Sequence, residues 1–284
     1  ALPGVSRPLI SGLFGTAANL GLILLSVLAY LESITVDNWR WVFLVIAMPA
    51  LLGVLVLALM PESPTWLAQR EQRVTKPRGE SLAGEIFRPP LLKLTIIGII
   101  LGAVPLMGNW GSANWLVPWA NQVQEQTGGH GLSAATQWSK SSGAAIGSLV
   151  GGWLACVCGR RLAYFFISLA SLASSFYIFH SLSPKDDSFL VWVFVQGFVG
   201  TVYFGWLPLY LPELFPTRVR ATGTGVAFNW GRILTAGGVL WGGQLMLSVG
   251  GDYARVGQIT CFVYVVGMIV ICFAPDTTRN RLDE

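Results

Sequence analysis

Charge is scarce in this sequence. Only 11% of its 284 residues are Asp, Glu, Lys or Arg, against 53% hydrophobic, where soluble domains carry roughly 25% charged residues. That deficit excludes an ordinary soluble fold, and with it the reading of the net +4 charge as a nucleic-acid patch. Histidine is rarer still: His130 and His180 stand without catalytic or metal-ligating partners at useful spacing, which argues against an enzyme, a metal site or a cofactor. Four cysteines, Cys156, Cys158, Cys261 and Cys272, fall in or at the ends of apolar runs and are expected to be packing residues. Missing too is any Asp or Glu deep in an apolar run: Glu32, Asp37, Asp187, Glu213 and Asp252 lie at ends or in loops. No carboxylate here offers itself as a proton carrier inside a membrane.

Long apolar runs are what the sequence has instead. A helix needs about 20 residues to cross a bilayer, and eight such stretches can be drawn, at 9–31, 39–60, 94–119, 132–156, 161–181, 188–211, 222–247 and 256–274. The loops between them alternate in charge. Arg7, Arg70, Arg73, Lys76, Arg78, Arg88, Lys93, Arg160, Arg161, Arg218, Arg220, Arg279 and Arg281 fall on one side, and only Arg40, Lys185 and Arg255 on the other. Both chain ends are therefore expected on the cytoplasmic side of an inner or plasma membrane. Residues 61–93, rich in Pro and charge, read as a cytoplasmic linker with a short amphipathic helix on the membrane around Leu82 to Phe87. This divides the chain into 1–60, the linker 61–93 and a bundle 94–284 with a short tail.

The chain also repeats itself. Gly15, Ala17, Asn19, Gly21, Ile23 and Leu24 recur as Gly225, Ala227, Asn229, Gly231, Ile233 and Leu234, a constant 210 residues later. The following spans end alike, in Met60-Pro61-Glu62-Ser63 and Ala274-Pro275-Asp276-Thr277. If the first and second spans repeat as the seventh and eighth, the repeated unit is six helices and the first unit holds only its last two. The expected fold is an all-α membrane bundle of about eight transmembrane helices, equivalent to helices 5 to 12 of a twelve-helix protein.

Particular residues now resemble the major facilitator superfamily. Pro61-Glu62-Ser63-Pro64-Thr65-Trp66-Leu67 is similar to the PESPxWL that follows the sixth helix of its sugar porters, and Asn38-Trp39-Arg40-Trp41 to the start of that helix. Pro212 to Thr217, with Arg218, Arg220, Gly223 and Gly225, resembles the loop between the tenth and eleventh helices. Pro275-Asp276-Thr277 resembles the PET after the last helix. RATGTG followed by Asn229-Trp230-Gly231-Arg232 looks most like the organic-acid carriers, including sialate-type symporters. The resemblance implies a secondary transporter working by alternating access, with a small-molecule substrate, a coupling proton, and a monomer in the bilayer as the working unit. One motif departs: in Gly152 to Arg161 the acidic and basic pair of the superfamily's gate loop is replaced by Cys156 and Val157. That leaves Gly159, Arg160 and Arg161 as a helix end and surface anchor; with Arg218, Arg220 and Glu213 they are the gating candidates.

Arg232 is the sharpest site candidate. It lies roughly 15 Å into a core about 30 Å thick, and its counterpart in the first copy of the repeat is Leu22, so the fold does not require a charge there. A guanidinium binds a carboxylate bidentately, and Asn229 lies one turn away; pairing of Arg232 within the bundle is the rival reading. The third span carries Asn109, Trp110 and Asn114 between Pro105 and Pro118, the composition of a broken, cavity-lining helix. Gln137, Lys140, Gln196, Tyr203 and Gln244 complete the substrate-binding candidates, each with an interfacial or interhelical alternative. Gly143, Gly147 and Gly151 are expected to pack helices closely. The function expected is transport of a small organic anion, a sugar acid or carboxylate. A neutral-sugar porter and a non-transporting sensor or scaffold are the alternatives.

Overall fold

The computed structural model describes residues 7–32, 38–61 and 82–277, so most of the PESPTWL motif and the linker, and Arg279 and Arg281, lie outside the described residues. Among those described, every ordered element is helical: α1 (Arg7–Leu31), α2 (Arg40–Ala47), α3 (Pro49–Leu59), α4 (Leu82–Glu85), α5 (Leu91–Met107), α6 (Leu116–Thr127), α7 (Leu132–Cys158), α8 (Arg160–Ser181), α9 (Phe189–Glu213), α10 (Arg220–Ser248), α11 (Tyr253–Thr260) and α12 (Val263–Phe273). Each of the eight expected spans coincides with one helix or a broken pair. Among the described residues six stretches are long and apolar enough to cross a membrane: Arg40–Leu59, Leu91–Thr127, Leu132–Cys158, Arg160–Ser181, Phe189–Glu213 and Tyr253–Phe273. α10 is long enough, but Asn229, Arg232, Gln244 and its glycines dilute its apolar character.

The chain divides into two compact units. Residues 31–81 carry α2 and α3, which meet at Met48 and Pro49. Leu51, Leu55, Leu57 and Leu59 make α3 apolar all round, the composition of a helix surrounded by lipid or other helices. The other unit holds α1 through Tyr30 and everything from Leu82 onward.

In that second unit α7 and α9 lie backbone to backbone. A methyl group at Gly143 would stand 2.1 Å from the Phe194 carbonyl oxygen, at Gly147 2.1 Å from that of Phe198, and at Gly151 2.0 Å from that of Val202. Glycine is the one residue that permits this approach, as the stripe of small residues predicts. α1 docks on α7 in a similar manner, with Gly15 against Ser148 and the Thr16 hydroxyl donating to the Ala145 carbonyl at 2.9 Å. The short α4 is fastened by Ile86, which is fully buried and whose carbonyl accepts from Thr95 at 2.7 Å.

The third span is broken, and the reason is visible. Pro105 lies inside α5 and has no amide hydrogen, so the Leu101 carbonyl four residues earlier loses its helical partner; the Tyr164 hydroxyl donates to it instead, at 3.0 Å. Beyond it a π turn, Gly108–Ser112, and a 3-10 turn, Ala113–Trp115, precede α6. Trp115 Nε1 donates to the Gly111 carbonyl at 2.9 Å and braces the break.

An aromatic column forms the centre of the bundle. Tyr264, Tyr203, Tyr164, Trp206 and Tyr210 are each at most 1% exposed. Successive rings meet at 6.4, 5.0, 4.7 and 4.5 Å. The cysteine expectation holds only for buried Cys261; Cys156, Cys158 and Cys272 are exposed on the outside of their helices, where a thiol serves as an ordinary apolar surface group.

Candidate functional site

A polar cavity of about 260 Å³ opens at the break in the third span. The break itself contributes Asn109, Trp110, Ala113 and Asn114. From α7 come Gln137, Lys140, Ser141 and Ala144, from α9 Gln196, Gly197, Gly200 and Thr201, from α12 Tyr264, and from α1 Asn19 and Leu22. Six of the expected residues thus converge: Asn109, Trp110, Asn114, Gln137, Lys140 and Gln196.

Lys140 dominates the electrostatics. It is 8% exposed, and Nζ donates to the neutral Asn114 Oδ1 at 2.9 Å. Among the described residues no carboxylate lines the cavity. A buried ammonium with an uncharged partner and no counter-ion holds unspent attraction for an anion. The walls around it are fixed. Gln137 Nε2 donates to Ser141 Oγ at 2.8 Å; Gln196 accepts from the Ser174 hydroxyl and donates from Nε2 to the Tyr264 hydroxyl at 3.4 Å. Thr201 is tied to the Ala144 carbonyl at 2.9 Å.

Four expected residues lie elsewhere. Tyr203 is fully buried in the aromatic column and its hydroxyl donates to Ser168 Oγ at 2.8 Å, so it supports the cavity floor through Tyr264 without reaching the cavity. Asn229, Arg232 and Gln244 are exposed on α10, whose buried face, with Gly223, Ala227, Gly231 and Thr235, is turned the other way. Arg232 holds its guanidinium 5.1 Å from the Phe228 ring centroid. Four polar contributors escape a sequence reading, Asn19, Ser141, Thr201 and Tyr264. Asn19 was visible as a member of the repeat, yet nothing local marks it as cavity-facing.

A second polar cluster closes the other end of the aromatic column. Arg160 donates through Nε and Nη2 to Glu213 Oε2 and Oε1, at 3.2 and 2.9 Å. The side chains are 13% and 4% exposed, so this is a buried bidentate pair. Thr277 adds a bond from Oγ1 to Glu213 Oε2 at 2.5 Å, Tyr210 donates to the Pro275 carbonyl at 2.7 Å, and Trp206 Nε1 to the Arg160 carbonyl at 3.0 Å. The Pro-Asp-Thr segment is thus stitched to the end of α9. Gly159, at φ 81°, makes the single-residue turn that aims Arg160 inward. Arg160 is therefore more than the surface anchor expected after the loss of the acidic residue at Cys156; its carboxylate comes from α9 instead. Arg161 donates to the Cys272 carbonyl, Arg218 pairs with Glu85, and Arg220 donates to the Phe215 carbonyl at 3.4 Å. Among the described residues no group of three or more His, Cys, Asp or Glu could hold a metal ion.

The described residues thus form a helical bundle with helices of membrane-spanning length, a polar cavity beside a broken helix and a buried ion pair beyond it. The Major Facilitator Superfamily profile matches residues 1–239, and the chain belongs to that family. It is 26% identical to the cis,cis-muconate transport protein of Acinetobacter baylyi, over 69% of this chain and 47% of that protein. Against the arabinose-proton symporter of Bacillus subtilis it is 26% identical over 87% of this chain and 59% of that protein. The sialic acid transporter NanX of Escherichia coli is likewise 26% identical, over 69% and 46%. The chain spans about half the length of the curated relatives it matches.

Proposed function

We propose that the protein is a secondary transporter of a small organic anion, and that the cavity around Lys140 is its substrate site. The observation that carries this reading is the buried, counter-ion-free ammonium of Lys140 on a wall of neutral amides and hydroxyls. A carboxylate there gains a charge-assisted hydrogen bond in a water-poor surrounding, worth more than in water, whereas a neutral sugar leaves the charge uncompensated. The relatives' names span anions and neutral sugars; Lys140 favours the former. Proton coupling is part of the proposal, supported by the name of the arabinose-proton symporter.

The domain division at 1–60, 61–93 and 94–284 and cytoplasmic placement of both ends belong to the same reading. On it, the Arg160–Glu213 pair latches the cytoplasmic side during alternating access, which favours a working carrier over a scaffold. Arg232, exposed on α10 outside the cavity, is a second cation on the anion's route, serving transport more than equilibrium binding.

The test uses this chain in lipid nanodiscs, with tryptophan fluorescence reporting through Trp110. Gluconate and benzoate are each titrated against their own neutral amides. At least one acid is expected to bind about tenfold or more better than its amide, with Lys140→Met erasing the difference. If neither acid outbinds its amide, the reading fails. Uptake of the preferred labelled acid by cells expressing the gene then tests transport itself.

A further inference from the structure

Resting on the anion reading above, the unspent hydrogen-bonding groups of the cavity narrow the substrate further. Each amide side chain has an oxygen that accepts and a nitrogen that donates, so bonds already made within the protein show what remains for a ligand. Asn114 has committed its oxygen to Lys140, which leaves its nitrogen beside the ammonium. Both groups at that end are donors. Tyr264 accepts from Gln196 and keeps its own hydroxyl hydrogen.

Unused acceptors lie at Asn19 and Gln137. Asn19 Nδ2 donates to the Gly15 carbonyl at 2.9 Å, so its oxygen is wholly uncommitted. Gln137 Nε2 gives one of its two hydrogens to Ser141 Oγ, and its Oε1 is unused. Both residues line the cavity. A bare hydrocarbon carboxylate satisfies the donor end and strips water from these two oxygens without replacing it, which is costly. A ligand whose chain carries hydroxyl groups satisfies both ends.

We infer that the cavity takes a hydroxylated monocarboxylate of the sugar-acid class: the carboxylate meets Lys140 and the Asn114 amide nitrogen, and chain hydroxyls donate to the Asn19 and Gln137 oxygens. The single charge follows from Lys140 being the one cation among the described residues that lines the cavity. A second carboxylate would find only neutral groups among the described residues there.

The experiment compares four probes on the same nanodisc preparation: gluconate, hexanoate, glucarate and benzoate. Gluconate is expected to bind about tenfold or more tighter than hexanoate, which has the same chain length and charge but no hydroxyls. Glucarate, hydroxylated but doubly charged, is expected to bind more weakly than gluconate. Asn19→Leu should narrow the gap between gluconate and hexanoate about fivefold, by weakening the first and sparing the second the unpaired oxygen, with an unchanged thermal unfolding midpoint showing that the variant is folded. Hexanoate or benzoate binding as tightly as gluconate overturns this inference and leaves the anion reading standing. Gluconamide binding as tightly as gluconate, with benzamide matching benzoate, removes both. Glucarate outbinding gluconate overturns the single-charge assignment.

Discussion

The two copies of the repeated element are alike in sequence and in local bonding, and unlike in everything else. In α1 the Asn19 amide donates to the Gly15 carbonyl at 2.9 Å; in α10 the Asn229 amide donates to the Gly225 carbonyl at 2.8 Å. The same residue at the same spacing makes the same one-turn bond. The packed faces differ. α1 leans on α7 through the first glycine of its copy, Gly15, while Gly21 has open space around it. α10 leans on α5 through the last glycine, Gly231, whose added methyl would stand 3.0 Å from the Ala103 nitrogen, while Gly225 is open. Ala17 is exposed and its counterpart Ala227 is fully buried. Rotating the contact face by part of a turn places Asn19 and Leu22 on the cavity, and Asn229 and Arg232 outside it. A duplicated sequence therefore fixes what a residue does to its own helix and leaves its neighbours to be chosen by the partner helix.

Exchanging residues between the copies tests this, with the largest effect expected at Leu22. Leu22→Arg gives the α1 copy the cation of α10, now beside the cavity. It is expected to raise glucarate affinity relative to gluconate by on the order of tenfold or more, read by the same fluorescence titration. An unchanged ratio would show that position 22 does not reach the ligand.

The glycines come next. Gly231→Leu and Gly15→Leu are each expected to destabilise the protein by about 1–3 kcal/mol, because an added methyl would meet the Ala103 nitrogen at 3.0 Å in the first and Ser148 Oγ and Cβ at 2.8 and 2.9 Å in the second. Gly21→Leu and Gly225→Leu should be near neutral. Thermal unfolding in detergent ranks all four, and a large shift for either open glycine contradicts the assignment of faces.

A smaller contrast separates the asparagines. Both lose the same bond to the carbonyl four residues earlier when replaced by Leu, so any excess effect of Asn19→Leu on gluconate affinity belongs to the cavity. That excess is expected to be about 1 kcal/mol, and Asn229→Leu should leave affinity unaltered. Smallest of all at equilibrium is Arg232→Leu, which makes the α10 copy read like α1. Gluconate affinity should stay within about twofold while uptake falls, a loss of rate without loss of binding; a collapse of affinity would put Arg232 in the binding site.

The helices were legible because a span must satisfy its backbone internally and be apolar over a fixed length, and both conditions are written in the chain. The break near Asn109 was legible for a related reason, since Pro105 removes an amide hydrogen wherever it stands. Close packing at Gly143, Gly147 and Gly151 followed from size alone. Six of ten binding candidates converged because amides, indoles and a lysine are rare enough in spans to be noticed.

Facing directions were not legible. Arg232 and Lys140 are both cations within long helices, and sequence singled out Arg232 because it lies deeper in its span and its counterpart in the repeat is Leu22. Which of the two borders a cavity depends on the helices packed around each. α7 is clamped against α9 at Gly197, whose added methyl would meet the Lys140 carbonyl at 2.1 Å, and that clamp turns the Lys140 side chain toward Asn114. The Arg160–Glu213 pair was likewise hidden, its partners lying 53 residues apart in a chain whose gate motif had lost its own acid. Sequence by itself determined the class, the number of spans, the duplicated element and the break, all consequences of local chemistry and length. Tertiary structure alone decided which polar residues share a cavity, because burial of a side chain is a property of the surfaces that surround it.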